Sequence, residues 1–415
     1  MTGLRELFEE AAGSAPPSRL LADEVYTAGR RRWRRRRLAV AALPAVAATA
    51  VLAASLLATP RPAGDEPPVA GGAGAPASAG ERPGQRLQWV DTADARHLYL
   101  LSTCTTPGTC DKSLAHLSGS DDGGRSWTDR GTPTGLGPMA VLGPDVLITA
   151  APPDQPGATG TSLMISTDGG RHWRRAQESP PVGAVPDGGT AICWPETAGA
   201  SCTVQVVEPE SYRVAPLSQQ PALLVQPDGL RIDGRSGRLW IPGREPATGR
   251  PAVAVSADAG RTWASHVFRD APSCPDAGCQ PLSLAVDGGG KRVYAVAAGE
   301  RAVAVYRLTG GTTGDGWQRL TDTDEIPPGT NGYGSFVAAD GSHVLFQPDD
   351  RHTFGYRYWA ARGGGAYRSV ELAGLPATAG PVRRTRDGRF YAIDGPANVL
   401  YGSTDGWHWS PITDR

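Results

Sequence analysis

Four aspartates recur in one local setting. Asp122, Asp168, Asp258 and Asp405 each follow a serine by two residues (Ser120, Ser166, Ser256, Ser403) and precede a tryptophan by four or five (Trp127, Trp173, Trp263, Trp409). In the first three copies a glycine stands two residues after the aspartate, at Gly124, Gly170 and Gly260. A carboxyl group repeated in this way could serve as a general acid. The context points elsewhere. Each copy follows an apolar alternating run, such as Ser162-Leu163-Met164-Ile165, and precedes another extended run, which is the setting of a hairpin turn. There the carboxylate accepts hydrogen bonds from turn N–H groups, the glycine takes a backbone angle that a Cβ resists, and the tryptophan covers the hairpin. Charge-assisted bonds of this kind contribute roughly 1.5–3 kcal/mol. The four aspartates are therefore expected to pin turns. His172 replaces the usual Thr or Ser in the second copy, and the fourth is one residue shorter and carries an extra Trp407.

The pattern Ser-x-Asp-x-Gly-x-Thr/Ser-Trp resembles the Asp box of the BNR-repeat β-propellers, a group that includes sialidases, xyloglucanases, sortilin-type receptors and photosystem assembly factors. The resemblance implies an all-β propeller with the boxes on the rim away from the ligand face. Spacing gives the number of blades. Three weaker copies end at Tyr212, Trp317 and Tyr367, so seven anchors at 127, 173, 212, 263, 317, 367 and 409 are separated by 47 residues on average. Repeats of this length indicate propellers or arrays. Seven blades of four strands fit residues 85–415, with six blades as the alternative. In the last repeat the strands are expected at 381–385, 389–393, 399–403 and 408–413. The first and last repeats each supply four strands of their own, so ring closure by strand exchange is not expected.

Residues 38–58 form an uncharged run of 21 residues, long enough to span a bilayer as one α-helix. Seven arginines between Arg30 and Arg37 place the preceding flank in the cytoplasm. This predicts a single-pass membrane protein with a cytoplasmic tail (1–37), a transmembrane helix (38–58), a Pro/Gly/Ala linker (59–84) and an extracytoplasmic propeller (85–415). A cleaved signal peptide is the competing reading. Nine arginines against five acids give the tail about +4; the whole chain is −1, leaving about −5 for the remainder. The tail suits anionic lipid, and the acidic remainder argues against a nucleic-acid partner. Short helices over 4–11 and 18–36 make the tail similar to those of some actinobacterial membrane proteins linked to sigma-factor regulation, which implies a cytoplasmic regulatory partner.

The six cysteines fall in three local pairs, Cys104/Cys110, Cys193/Cys202 and Cys274/Cys279. Fifteen connectivities are possible; local pairing is the simplest, and it fits an oxidising compartment. None of the pairs has C-x-x-C spacing or a nearby histidine, so no metal is expected.

In a four-stranded blade the second-to-third-strand loops and the crossovers between blades lie on the face opposite the boxes. The longest loops fall there: 151–161, 243–250, 321–334 and 348–355. Long loops on a rigid scaffold concentrate function. Arg244, Glu245, Asp324, Glu325, Tyr333, Asp349, Asp350, Arg351 and His352 are the candidate ligand-binding residues, for a protein or glycan. A glycosidase is the alternative, but the first blade reads Arg86-Leu87-Gln88-Trp89-Val90-Asp91 where a sialidase would carry a Phe/Tyr-Arg-Ile-Pro segment. There is no HExxH, Walker loop or nucleophile elbow, and no cofactor or catalytic residue is assigned.

Overall fold

The computed structural model describes residues 85–104, 115–133, 139–151, 162–194, 201–208, 211–225, 233–235, 238–272, 282–299, 302–310, 316–327, 334–349 and 355–412. The tail, apolar run and linker expected over 1–84 lie outside the described residues. Among the described residues no helix is long and apolar enough to cross a membrane.

Seven β-sheets follow one another along the chain. Blade 1 holds β1 (Gln85–Thr92), β2 (Leu98–Cys104), β3 (Ala115–Ser120) and β4 (Thr128–Gly131), and blade 2 holds β5 (Met139–Val141), β6 (Leu147–Ala151), β7 (Ser162–Ser166) and β8 (Arg174–Arg175). Next come β9 (Gln177–Glu178), β10 (Thr190–Trp194), β11 (Thr203–Glu208) and β12 (Arg213–Pro216) in blade 3. Blade 4 has β13 (Leu224–Val225), β14 (Asp233–Arg235), β15 (Arg238–Arg244), β16 (Pro251–Ser256) and β17 (Ala264–Val267). Blade 5 has β18 (Ser283–Val286), β19 (Val293–Ala298), β20 (Val303–Leu308) and β21 (Trp317–Arg319). Blade 6 has β22 (Gly334–Val337), β23 (His343–Pro348), β24 (Tyr356–Ala361) and β25 (Arg368–Val370), and blade 7 has β26 (Arg383–Arg384), β27 (Phe390–Asp394), β28 (Val399–Ser403) and β29 (Ser410–Pro411). The chain is a seven-bladed β-propeller, which removes the six-bladed alternative.

Blades 1, 2, 5, 6 and 7 are four-stranded antiparallel meanders. Two blades depart from the expected pattern. In blade 4 the first strand is split: β13 and β14 both pair with β15, at its opposite ends. In blade 3 the order is β10-β11-β12-β9, and β9 runs parallel to β12. Only Ala176 separates β9 from β8, the outer strand of blade 2. One extended segment therefore pairs first with blade 2 and then with blade 3, and supplies on the perimeter the fourth strand that blade 3 lacks inside. Weaker versions of this tie recur. The Tyr367 N–H donates to Asp322 O at 3.1 Å, and the Trp409 N–H to Ala373 O at 2.8 Å.

The four Ser-x-Asp segments are the turns between the third and fourth strands of blades 1, 2, 4 and 7. In the first, Ser120 Oγ donates to Asp122 Oδ1 at 2.8 Å and accepts from the Gly124 N–H at 2.8 Å. The Ser126 N–H and hydroxyl donate to the two oxygens of Asp122 at 2.9 and 2.6 Å. In the second, His172 substitutes for the hydroxyl: its N–H donates at 2.9 Å and its Nδ1 lies 2.6 Å from Asp168 Oδ2. A carboxylate only accepts, so Nδ1 carries the proton. Thr262 makes the same pair of bonds to Asp258 in the third turn. The shortened fourth turn keeps the network with Gly406 three residues after Ser403, and His408 Nδ1 lies 2.6 Å from Asp405. Four sequences thus reach one geometry.

Each of these glycines also seats its blade on the one before. A Cβ on Gly170 would lie 2.2 Å from Leu117 of blade 1, on Gly260 2.7 Å from Leu217 of blade 3, and on Gly406 2.9 Å from Phe336 of blade 6. A Cβ on Gly124 would lie 2.3 Å from Ile412, which joins blade 7 to blade 1 across the ring seam. All four have positive φ, from 83° to 92°. Most of the apolar core lies between adjacent blades. At the seam it contains Leu87, Leu98, Leu100, Trp127, Tyr391 and Leu400. No strand is shared there: blade 1 is built wholly from the start of the propeller and blade 7 from its end. Side chains also cross the middle of the wheel. Arg384 donates to Val286 O of blade 5 at 2.7 Å, and Arg386 donates to Leu142 O of blade 2.

Four substitutions test the turns and the strand that follows the first of them. Gly170→Ala combines left-handed strain with overpacking against fully buried Leu117 and should cost about 2–4 kcal/mol in denaturant unfolding. Gly131→Ala, with positive φ but open space, should cost only about 1 kcal/mol. Ala259 holds φ 60° where the first two turns carry glycine, so Ala259→Gly should raise stability by roughly 0.5–1 kcal/mol, read as a higher denaturation midpoint. The Ser126 hydroxyl and N–H hold the Asp122 carboxyl at about 2, below its ordinary 3.8. A depressed carboxyl stabilises fully above its unfolded value, and that contribution fades as pH falls through the folded one. Asp122→Asn should therefore be less stable than wild type by about 1 kcal/mol at pH 7, and the gap should close between pH 4 and 2.

Candidate functional site

The turns define one face of the wheel. The turn between the first and second strands lies beside the Ser-x-Asp turn: the Gly123 N–H donates to Arg96 O at 2.9 Å in blade 1, and the Gly169 N–H to Asp145 O at 2.8 Å in blade 2. The connections between second and third strands open on the opposite face.

A cleft of about 310 Å³ occupies that opposite face at the junction of blades 6, 7 and 1. Blade 1 contributes the first half of β1, with Arg86, Leu87, Gln88 and Val90. Blade 6 contributes Pro348, Gly355 and Tyr356 from the link between β23 and β24. Blade 7 contributes Arg383 on β26 with Thr378, Pro381 and Ile393 around it. The β1 backbone is fixed here by the Leu87 N–H, which donates to Asn398 Oδ1 across the seam at 2.7 Å. The walls are mainly apolar and the charged groups are two arginines. Among the described residues lining the cleft there is no aspartate or glutamate. The nearby acids are engaged with their own neighbours. Asp349 is buried and lies 3.5 Å from Arg357 Nε. Asp394 accepts from the Thr378 hydroxyl at 3.0 Å and from the Ala397 N–H at 3.2 Å. Burial pushes the Tyr356 hydroxyl up from its ordinary 10 although the Arg383 charge pulls it down, so it stays a neutral donor.

Of the nine candidate ligand residues, the five described ones, Arg244, Glu245, Asp324, Glu325 and Asp349, do not converge. Asp349 flanks the cleft through its N–H, which donates to Gly355 O at 3.0 Å. Arg244 and Glu245 lie at the end of β15, and Glu245 accepts the Thr248 hydroxyl inside its own loop. Glu325 pairs with Arg368 on the outer strand of blade 6, beside exposed Asp324. Tyr333, Asp350, Arg351 and His352 lie outside the described residues. Reasoning from long polar loops passed over Arg86, Tyr356 and Arg383, which sit on or beside strands. One signal was present: Arg383-Arg384-Thr385-Arg386 puts three arginines where other inner strands read Ala140-Val141, Ala285-Val286 and Phe336-Val337.

Cys193 and Cys202 form a disulfide, with Cα atoms 5.6 Å apart, between β10 and the start of β11 on the cleft-bearing face. Cys104 is also disulfide-bonded; Cys110, Cys274 and Cys279 lie outside the described residues. A second hollow, between the outer strands of blades 4 and 5, is lined by His266, Trp317, Tyr306, Asp270 and Arg319. Its polar groups are spent on one another: the Tyr306 hydroxyl donates to Asp270 at 3.0 Å, and Arg319 lies 3.3 Å from the same carboxylate. His343, the most deeply buried histidine among the described residues, stacks on Tyr294 at 4.1 Å with its Nδ1 2.6 Å from the Tyr367 hydroxyl, and burial lowers it to about 3, so it is a neutral packing residue. No cluster of three or more metal-ligating side chains occurs among the described residues.

No protein-family model matches the chain. No curated protein sequence matches it either. Solved structures with a similar course of the chain include a prolyl endopeptidase, at 13% identity and a TM-score of 0.46, covering 79% of this chain and 49% of that one. The BP39L lectin of Burkholderia pseudomallei is 13% identical with a TM-score of 0.48, covering 80% of this chain and 99% of the lectin. The Trypanosoma rangeli sialidase is 12% identical with a TM-score of 0.36, covering 79% of this chain and 54% of the sialidase. The chain thus spans about half the length of the endopeptidase and of the sialidase.

Proposed function

We propose that the protein is a non-catalytic binding module: an Asp-box propeller held at the outer surface of a membrane by the 38–58 helix, taking a ligand on the face opposite the Ser-x-Asp turns. The observation that carries this reading is the seam cleft, an apolar concavity with a few convergent polar groups and no carboxylate among its described lining residues. Glycoside hydrolysis ordinarily needs two carboxyl groups across the scissile bond, one of them protonated. Every aspartate whose acidity the described fold moves is moved toward the ionised form, the four turn aspartates included. The glycosidase remains the second reading, because Asp350 lies outside the described residues.

The test is a glycan-array and fluorogenic-glycoside screen on the full chain in detergent. The expected result is saturable binding without turnover, reduced at least tenfold by Tyr356→Ala. Turnover abolished by Asp349→Asn or Asp350→Asn would replace this reading with the hydrolase. Protease added to intact cells should remove the propeller and spare the tail; a protected propeller would overturn the external placement.

A further inference from the structure

We propose that the seam cleft binds the carboxylate of an acidic saccharide, with Arg86 and Arg383 gripping it from two different blades. This rests on the binding-module reading and names the ligand class of the same site.

Several arginines of this domain are engaged with their own surroundings. Arg130 is paired with Asp121 at 2.9 Å, Arg319 with Asp270 at 3.3 Å and Arg357 with Asp349 at 3.5 Å. Arg368 is paired with Glu325, and Arg384 and Arg386 are spent on backbone carbonyls across the wheel. Arg86 and Arg383 line one cleft, and neither guanidinium has an ion-pair or hydrogen-bond partner among the described residues. They stand unpaired although the chain beyond the tail carries about −5. A guanidinium is a rigid fork of donors that matches a carboxylate with two parallel bonds. Two such forks lining one concavity, with no acid in its described lining, suit an anionic group.

The rest of the cleft fits a sugar ring. Its volume, about 310 Å³, is at the small end of ligand pockets and suits one or two rings. Pro381 and Ile393 offer apolar surface to the C–H faces of a ring, while Gln88, Thr378 and the Tyr356 hydroxyl offer polar groups to its hydroxyls.

The position adds a consequence. Arg86 belongs to the first strand of the ring and Arg383 to the last blade, so their like charges flank the joint that no shared strand closes. A carboxylate between them replaces repulsion with attraction on both sides. The ligand therefore clasps the seam, and binding should stabilise the whole wheel.

The experiment titrates the full chain in neutral detergent with a panel of acidic saccharides (trigalacturonate, a glucuronate disaccharide, sialyllactose), neutral galactotriose, a glutamate-rich peptide and sodium sulfate. Calorimetry and thermal unfolding are both read, at low and at high salt. At least one acidic saccharide should bind, raise the unfolding midpoint and weaken severalfold at high salt. Its affinity should fall at least tenfold in Arg86→Gln and in Arg383→Gln, less in Arg383→Lys, and stay unchanged in Arg125→Gln on the turn face. Near-ultraviolet circular dichroism of each variant checks that the fold is kept. Galactotriose bound as tightly, lost in Tyr356→Ala but kept in the arginine variants, would overturn the acidic ligand and leave the binding module standing. Tighter binding of the peptide, or of sulfate alone, would overturn the saccharide. Acidic saccharides bound equally by both arginine variants, or silence across the acidic panel, would overturn the site itself.

Discussion

A ring of blades exists only if its two ends meet, and here they meet without a shared strand. In a wheel closed by strand exchange, backbone hydrogen bonds lock the first blade to the last. This chain closes blade 1 on blade 7 with side chains: the Ile412 methyl against Gly124, the Leu87 N–H on Asn398 and the Thr92 hydroxyl 3.3 Å from Asp387. The seam core of Leu87, Leu98, Leu100, Tyr391 and Leu400 supplies the rest. Fully burying an aliphatic side chain of this kind stabilises by roughly 1.5–3 kcal/mol. Closure therefore rests on several modest contacts. The crossing arginines reinforce them by tying blade 7 to blades 5 and 2 as well as to its sequence neighbours.

The Ser-x-Asp turns look local and act between blades. Hydrogen bonds within each turn fix the glycine at positive φ, and the bare Cα then lets the next blade approach. Whether the donor to the carboxylate is a serine or threonine hydroxyl or a histidine Nδ1 makes no difference to the backbone, which is why His172 and His408 stand where a hydroxyl is usual. Losing one residue from the fourth turn is equally tolerated, because Gly406 meets Ser403 one position earlier. The constraint is geometric, and several side-chain chemistries satisfy it.

These turns made the fold readable from sequence, and the same physics explains where reading stopped. In the last repeat the expected strands 389–393 and 399–403 meet observed Phe390–Asp394 and Val399–Ser403, because alternating apolar residues bounded by Gly and Asp turns are a local signal. Blade 3 was not readable in this way. Its fourth strand is two residues, Gln177 and Glu178, placed by parallel pairing with a partner more than thirty residues away. The cleft was harder still. Arg86 and Arg383 are almost three hundred residues apart, and only ring closure brings them together. Polar loops attract attention as sites, yet Glu245 and Glu325 proved to be bound to their own surroundings.

The location of unpaired charge bears on the two functional readings more directly than the fold does. A two-carboxylate glycosidase keeps one carboxyl protonated near neutral pH, and burial or a like-charge neighbour raises its pKa to do so. Among the described residues Asp94, Asp122, Asp168, Asp258, Asp340 and Asp405 go the opposite way, each held toward the ionised form by hydrogen-bond donors. The charge lining the cleft is positive, carried by two guanidiniums, rigid forks of donors that match a carboxylate. Such groups hold and orient an anion without reacting with it. A cleft whose described charges are arginines, set at a joint where no strand is shared, suits an anion more readily than a proton transfer.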